Sequence, residues 1–325
     1  MIANRPGRIR RLASMRGLVR ETTLVPQELV MPLFVKEGLR RDWAIPSMPG
    51  QFQHSLDGLL KEARRCRKAG VGAVMLFGIP ARKHISGSGA FSETGIIPRA
   101  LRRLKKEFPD LLLVADVCLC AYTRSGHCGL HVKNRLDKDA TLAALARTAL
   151  LYARSGADVV APSDMMDGRV ARIRDLLNAK GFSDTAILSY AVKYASAYYG
   201  PFRQAAENTP QSGDRRGYQM DPPNTDEALR EAAADIEEGA DLLLVKPALS
   251  YLDIVFRIKQ DLVFPTGVYN VSGEYAMVKA AAAQGWINEK NTVLENLVSM
   301  KRAGADFIVS YWARCASDWL REGAY

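Results

Sequence analysis

The chain has 325 residues, a formal net charge of +10, 48% apolar and 25% charged residues. That is a globular composition, long enough for one large domain or two ordinary ones. No apolar run reaches the 18 or more residues of a helical membrane span. The Arg-rich start has no apolar segment of the kind a secretory signal needs. Five cysteines, three of them close together, argue against a disulfide framework and for a reducing cytoplasm.

The first twenty residues hold Arg5, Arg8, Arg10, Arg11, Arg16 and Arg20 and no acidic residue. Residues 1–25 read as an arm that docks on another subunit or stays solvated. No aromatic–basic interleaving and no zinc-finger His pair is present, so nucleic acid is not an expected partner.

After the arm, 28–35 reads as a strand buried on both faces, and 55–69 as a helix with Leu56, Leu59, Leu60, Ala63 and Cys66 on one side. Strand 71–78, a Gly/Ser loop at 84–92 and a basic amphipathic helix at 97–108 follow. Strand 111–119 leads into a loop with Asp116, Cys118, Cys120, His127 and Cys128. Next come helix 136–155, strand 157–163 and helix 168–180, which Gly181 closes. Strand 185–191 precedes a Gly/Pro-rich segment, 197–224, expected to be irregular and to act as a lid. Helix 225–238, strand 240–247, strand 265–271, a helix near 274–284, helix 292–303, strand 305–311 and a short terminal helix complete the chain.

Eight apolar strands alternating with helices predict an α/β (β/α)8 TIM barrel over 26–325. Gly-Ala-Asp recurs at 156–158, 239–241 and 304–306, each time between a helix and a strand. Glycine there closes the helix, and the aspartate belongs at the bottom rim. A doubly wound sheet would more often carry a Gly-rich phosphate loop after its first strand, and none is present.

In such a barrel the chemistry sits at the C-terminal ends of the strands. Those positions hold Asp116, Cys118 and Cys120, then Ser163 and Asp164, Lys193, Lys246, Ser272 and Tyr311. Three thiolates make a soft anionic site suited to Zn2+, with a fourth position open. Buried or redox-active cysteines are the competing reading. His127 is beside Cys128, and sequence neighbours rarely both reach one ion, so it reads as a supporting group or an acid/base. Lys246 follows an apolar run, and two neighbouring ammonium groups depress one another's pKa. Both conditions favour an amine that forms Schiff bases. Arg203, Arg215 and Arg216 on the lid suit a carboxylate. The chemistry expected is a keto acid held as an imine beside Zn2+.

These residues carry a resemblance over nearly the whole length. Asp116–Cys120 with Gly126–Gly129, Ala161–Gly168, Ser189–Ser196, Tyr199–Arg203, Gly213–Arg216, Val245–Pro247, Tyr251–Ile254 and Val271–Glu274 together resemble the porphobilinogen synthase (5-aminolevulinate dehydratase) family, in its zinc-dependent bacterial form. The resemblance implies condensation of two 5-aminolevulinate molecules to porphobilinogen with loss of two waters, in tetrapyrrole (heme) biosynthesis. It implies Lys246 as the Schiff-base lysine for the first substrate and Lys193 for the second. Cys118, Cys120 and Cys128 match the Zn2+ ligands. Arg203, Arg215 and Gln219 match residues that hold the second substrate's carboxylate, and Ser272 and Tyr311 the first one's. Asp116, Ser163 and Asp164 complete the polar rim, with Tyr199 and Phe202 on the lid's inner face. Glu231 matches a position where bacterial members hold a non-catalytic Mg2+ between subunits. A homo-octamer, the arm of one subunit embracing a neighbour, is implied as well. The chain departs from the family pattern at Ala248-Leu249-Ser250, at Ala121, Arg124 and Ser125, and at His84. A paralogue acting on another keto acid is the alternative reading.

Overall fold

The computed structural model describes residues 4–132 and 135–323. Eight strands form a closed parallel ring: β1 (Leu29–Lys36), β2 (Ala73–Ile79), β3 (Leu112–Val117), β4 (Val159–Pro162), β5 (Ala186–Lys193), β6 (Leu242–Lys246), β7 (Thr266–Asn270) and β8 (Phe307–Ser310). Pairing of Leu29 with Ile308 and of Val30 with Val309 closes the ring. The strands are apolar on both faces because one face fills the barrel and the other meets the helices.

The surrounding helices are α1 (Leu56–Ala69), α2 (Ile96–Glu107), α3 (Lys138–Arg154), α4 (Arg169–Ala179), α5 (Asp226–Glu237), α6 (Leu252–Leu262), α7 (Ser272–Ala283), α8 (Glu289–Arg302) and α9 (Ala313–Arg321). Ser55 caps α1 by accepting the Gly58 N–H, and Asp137 caps α3 by accepting the Ala140 N–H. Helix α6 was not anticipated from the sequence. Its signal was present, since Ile254, Val255 and Ile258 fall on one side and are buried.

The repeated Gly-Ala-Asp does at the barrel bottom what its position suggests. Gly156, Gly239 and Gly304 have φ of 104°, 98° and 112°, a conformation that favours glycine. Each aspartate then accepts the N–H of the first or second residue of the preceding strand in the ring. Asp158 takes Leu113 at 2.9 Å, Asp241 takes Ile187 at 2.7 Å and Asp306 takes Thr266 at 2.7 Å. Lys105, Arg174 and Lys259 respectively pair with the same carboxylates. One wall of the barrel also holds a buried ion pair. Arg169 of α4 donates in bidentate fashion to Asp235 of α5, at 2.9 and 2.7 Å, and donates to Ser189 of β5.

Three sequence expectations change. β3 ends at Val117 rather than 119, so Cys118 and Cys120 lie in the turn beyond it. β5 runs to Lys193, two residues past the expected 191. The lid is not wholly irregular: Ala197–Tyr199 makes a 3-10 turn and Gly200–Ala205 a short helix, with Pro201 at its start. Proline and glycine counts alone hid a helix that begins with both. Before β1, Pro6–Arg10 and Ala13–Leu18 are helical turns with no buried residue.

Candidate active site

The top of the barrel is built around two amines. Lys193 and Lys246 end adjacent strands and stand in register as direct partners across the β5–β6 ladder. Both are buried. The Lys246 Nζ lies 3.9 Å from the centre of the Tyr269 ring, 4.8 Å from Phe202, 5.2 Å from Tyr190 and 5.5 Å from Tyr199. Ring faces favour a cation, yet burial and the neighbouring Lys193 charge outweigh them and hold the Lys246 ammonium well below the ordinary lysine range. Lys193 differs in having a fixed partner: its Nζ donates to the Ser163 carbonyl.

Two carboxyl groups are buried at the ends of β3 and β4. Burial pushes Asp116 up to about 6, against the pull of Lys193, a hydrogen bond from Ser163, and Lys246. Burial likewise pushes Asp164 up to about 7, opposed by Arg169 and by the Met166 N–H, which donates to it at 2.8 Å. One oxygen of each, Asp116 Oδ1 and Asp164 Oδ2, is buried without a hydrogen-bond partner among the described residues. Such oxygens are ready to take a donor from a bound molecule.

Beside the amines the thiols of Cys118, Cys120 and Cys128 converge, all three sulfurs lying within 4.8 Å of one another. Cys118 and Cys120 are 3.2 Å apart. A tetrahedral ion with Zn–S bonds of roughly 2.3 Å needs sulfurs roughly 3.8 Å apart, so the cluster fits one metal ion with small adjustment. Hydrogen bonds from the other two thiols, with Arg215 and Lys193 nearby, hold the Cys128 thiol well below its usual range, while Cys120, against a hydrogen bond with Cys118, is pushed up to about 11 by sharing with Cys128 and by burial. A divalent ion would take the three sulfurs as thiolates and displace the protons they carry.

His127 does not belong to this cluster. Its Nε2 faces the Ser212 carbonyl at 2.9 Å and its Nδ1 the Tyr218 hydroxyl at 3.0 Å. The carbonyl can only accept, so the proton sits on Nε2 and Tyr218 donates to Nδ1. Tyr218 in turn accepts the Cys128 N–H at 3.3 Å. His127 therefore ties the cysteine loop to the lid.

The lid brings three donors over the site. Arg203 Nε, Arg215 Nε and Gln219 Nε2 are buried and have no partner among the described residues. Arg215 is otherwise anchored by donating to the Gly126 and Asn208 carbonyls at 3.0 and 2.8 Å. Burial and the Arg215 charge lower the pKa of Arg203. Two neighbouring guanidiniums with unpartnered N–H groups have the chemistry to receive an anion.

The other expected residues are placed less uniformly. Tyr199 is buried and its hydroxyl donates to the Lys246 carbonyl at 3.2 Å. Phe202 forms part of the aromatic wall. Ser272 Oγ accepts the Phe202 N–H at 2.9 Å, docking the lid helix onto the start of α7. Tyr311 shares a hydrogen bond with Tyr269 at 3.1 Å. Glu231 lies apart, on α5, in a cavity of about 170 Å³ that it lines with Asp167, Glu227, Lys138 and Tyr218. Burial and Asp235 raise its pKa. The divergent segment Ala248–Ser250 is well held: the Leu249 N–H donates to Glu274 at 2.7 Å, and Ser250 donates to the Tyr198 hydroxyl at 3.2 Å.

The family model described as delta-aminolevulinic acid dehydratase matches residues 3–319. The chain belongs to the delta-aminolevulinic acid dehydratase family. Among its dehydratase relatives, the one of Halalkalibacterium halodurans is 54% identical over 315 residues, covering 97% of this chain and 96% of its own. The Bacillus subtilis dehydratase is 52% identical over 319 residues, 98% of each. The crystal structure of the Toxoplasma gondii dehydratase, solved with its reaction product porphobilinogen, superposes with a TM-score of 0.97 at 47% identity, over 99% of this chain and 92% of that one.

Several contributors to the dehydratase site were missed in the sequence. Tyr190 and Tyr269, inside β5 and β7, read there as ordinary apolar strand residues but supply two faces of the Lys246 cage. Tyr218 and Asn208 lie in the lid, where no periodicity marks them. A tyrosine in an otherwise aliphatic strand near its C-terminal end was the available signal for the first pair.

Proposed function

We propose that this enzyme condenses two molecules of 5-aminolevulinate to porphobilinogen and two waters, in tetrapyrrole biosynthesis. The observation that carries the reading is the register pairing of Lys193 with Lys246, one of them an amine whose pKa burial and the Lys193 charge lower well below the ordinary lysine range.

Each lysine attacks one substrate ketone and forms an imine, so each ketone oxygen leaves as water. The imine makes its carbon electrophilic and the adjacent C–H acidic. One C–C and one C–N bond then join the two substrates at the former ketone carbons, and both lysines are released when the pyrrole forms. Lys246 holds the first substrate and Lys193 the second. Asp116 and Asp164, held up to about 6 and about 7, exchange protons near neutrality and serve the dehydration and ring-closure steps. Arg203, Arg215 and Gln219 grip the carboxylate of the second substrate, and their free N–H groups support that assignment. Ser272 and Tyr311 receive the carboxylate of the first. The lid residues Tyr199 and Phe202 exclude water from the imines.

Cys118, Cys120 and Cys128 would hold Zn2+, which when bound supplies a Lewis acid beside the second substrate. The soft donor set and the sulfur spacing support zinc over a harder ion. Glu231, with Asp167 and Glu227 around one cavity, would hold the non-catalytic Mg2+. The arm, which exposes Ile9, Leu12 and Leu18, would be covered by a neighbouring subunit in a homo-octamer. The free thiols suit the cytoplasm. Among the described residues no helix is long and apolar enough to cross a membrane.

The test is turnover of 5-aminolevulinate followed by a pyrrole colour reaction, with and without chelator. Pyrrole that disappears on chelation and returns with Zn2+ supports both substrate and metal. Borohydride reduction in the presence of 5-aminolevulinate should label Lys246, and Lys246→Ala should yield no product. Turnover by that variant would end the Schiff-base assignment.

A further inference from the structure

The lid reaches the cysteine cluster through one side chain that neither the lysines nor the arginines require. Asn208 is 1% exposed and its Nδ2 donates to the Cys120 sulfur at 3.0 Å. Its backbone N–H donates to the Arg203 carbonyl at 3.1 Å, and its carbonyl accepts from Arg215 at 2.8 Å. Asn208 is therefore joined at once to the thiol cluster, to the backbone of Arg203 and to the guanidinium of Arg215. Its Oδ1 is buried and has no partner among the described residues. An amide with one end spent on sulfur and the other unmet is a poor choice for packing alone. It suits a place where a ligand or water brings a further donor. The residue before it, Glu207, has φ of 51°, and its carboxylate is gripped by Lys36 and Gln53. That strained, pinned neighbour fixes the approach of Asn208 to the sulfur.

We propose that Asn208 is a positioning residue for the metal at Cys118, Cys120 and Cys128, making the lid part of the metal's surroundings. The inference rests on the metal reading of the cysteines given above. An N–H donated to a metal thiolate draws charge from the sulfur, holds its orientation and shields it from water. Groups that support ligands in this way typically alter metal affinity roughly 10–100-fold. Because the same residue also anchors the Arg215 guanidinium, the surroundings of the metal and those of the arginine share one support.

The experiment compares the full chain with Asn208→Leu, which keeps the volume and removes the donor, and Asn208→Asp, which places a carboxylate against the sulfur. Zn2+ affinity is read by competition with a chromophoric chelator. The sulfur-to-metal absorption band is read in Co2+-substituted protein. We expect Zn2+ affinity to fall roughly 10–100-fold in the Leu variant and further in the Asp variant. The Co2+ band should move to lower energy in the Leu variant, because sulfur electrons no longer stabilised by an N–H are easier to promote. Borohydride labelling of Lys246 by 5-aminolevulinate reports that the fold and the amine site survive. A Leu variant that labels normally and binds both metals as the unaltered chain does would overturn the role of Asn208. An unaltered chain that takes up neither Zn2+ nor Co2+ would overturn the metal reading itself, and this inference with it.

Discussion

Lys246 illustrates how one residue's surroundings set its chemistry. Four aromatic rings within 5.5 Å favour its cation, while complete burial and the Lys193 charge disfavour it. The second pair prevails. An amine whose pKa is lowered on folding binds fewer protons in the folded than in the unfolded chain, so stability rises with pH up to the unfolded value of roughly 10.4. At neutral pH this lysine therefore costs stability. Lys246→Met is expected to be inactive and to melt a few degrees higher at pH 7, with the gain shrinking as pH approaches 10. Calorimetric scans at the two pH values check this. A lower melting temperature at pH 7 would mean that the rings keep the amine charged. The lysine itself was legible in the sequence as a polar residue ending an apolar strand, but its cage was not, because Tyr190, Tyr199, Phe202 and Tyr269 come from three separate stretches of chain.

At the scale of elements, the lid and the cysteine loop are one unit. Gly126 has φ of 72°, and a Cβ there would stand 2.4 Å from the Thr209 carbonyl oxygen. The Gly126 carbonyl also anchors Arg215. Gly126→Ala should push the lid away from the cysteines while leaving the barrel intact. We expect catalytic efficiency to fall on the order of 10²-fold, the cost of misplacing positioned groups. The lid should become susceptible to protease, and the melting temperature should change little. Steady-state kinetics and limited proteolysis test this together. Unchanged kinetics with an intact lid would show that the loop accommodates the methyl. The sequence marked 197–224 as a lid by its prolines and glycines, but its contacts run to residues more than eighty positions away, such as Tyr218 to His127 and Asn208 to Cys120. No local pattern encodes such pairs.

For the whole molecule, charge and apolar exposure both concentrate in the arm. Ile9, Leu12, Leu18 and Val19 are 46%, 51%, 81% and 43% exposed among six arginines. Apolar side chains grouped this way mark a surface that another molecule covers. Deleting residues 1–25 is expected to leave a folded barrel of smaller assembly size, lower activity and lower net charge. Sedimentation of the full and shortened chains checks it. Equal assembly sizes would remove the arm from subunit contacts.

The sequence alone determined the barrel and the family, and it singled out the two lysines and three cysteines as candidates. Those follow from period, strand count and motif, which are local or nearly so. Only the tertiary structure decided that Lys193 and Lys246 are ladder partners and that His127 turns to the lid rather than the cysteine cluster. It also decided that Asn208 meets a sulfur. The reason is physical: pKa, hydrogen-bond satisfaction and burial depend on what surrounds a group in space, and in a closed barrel those neighbours arrive from every strand.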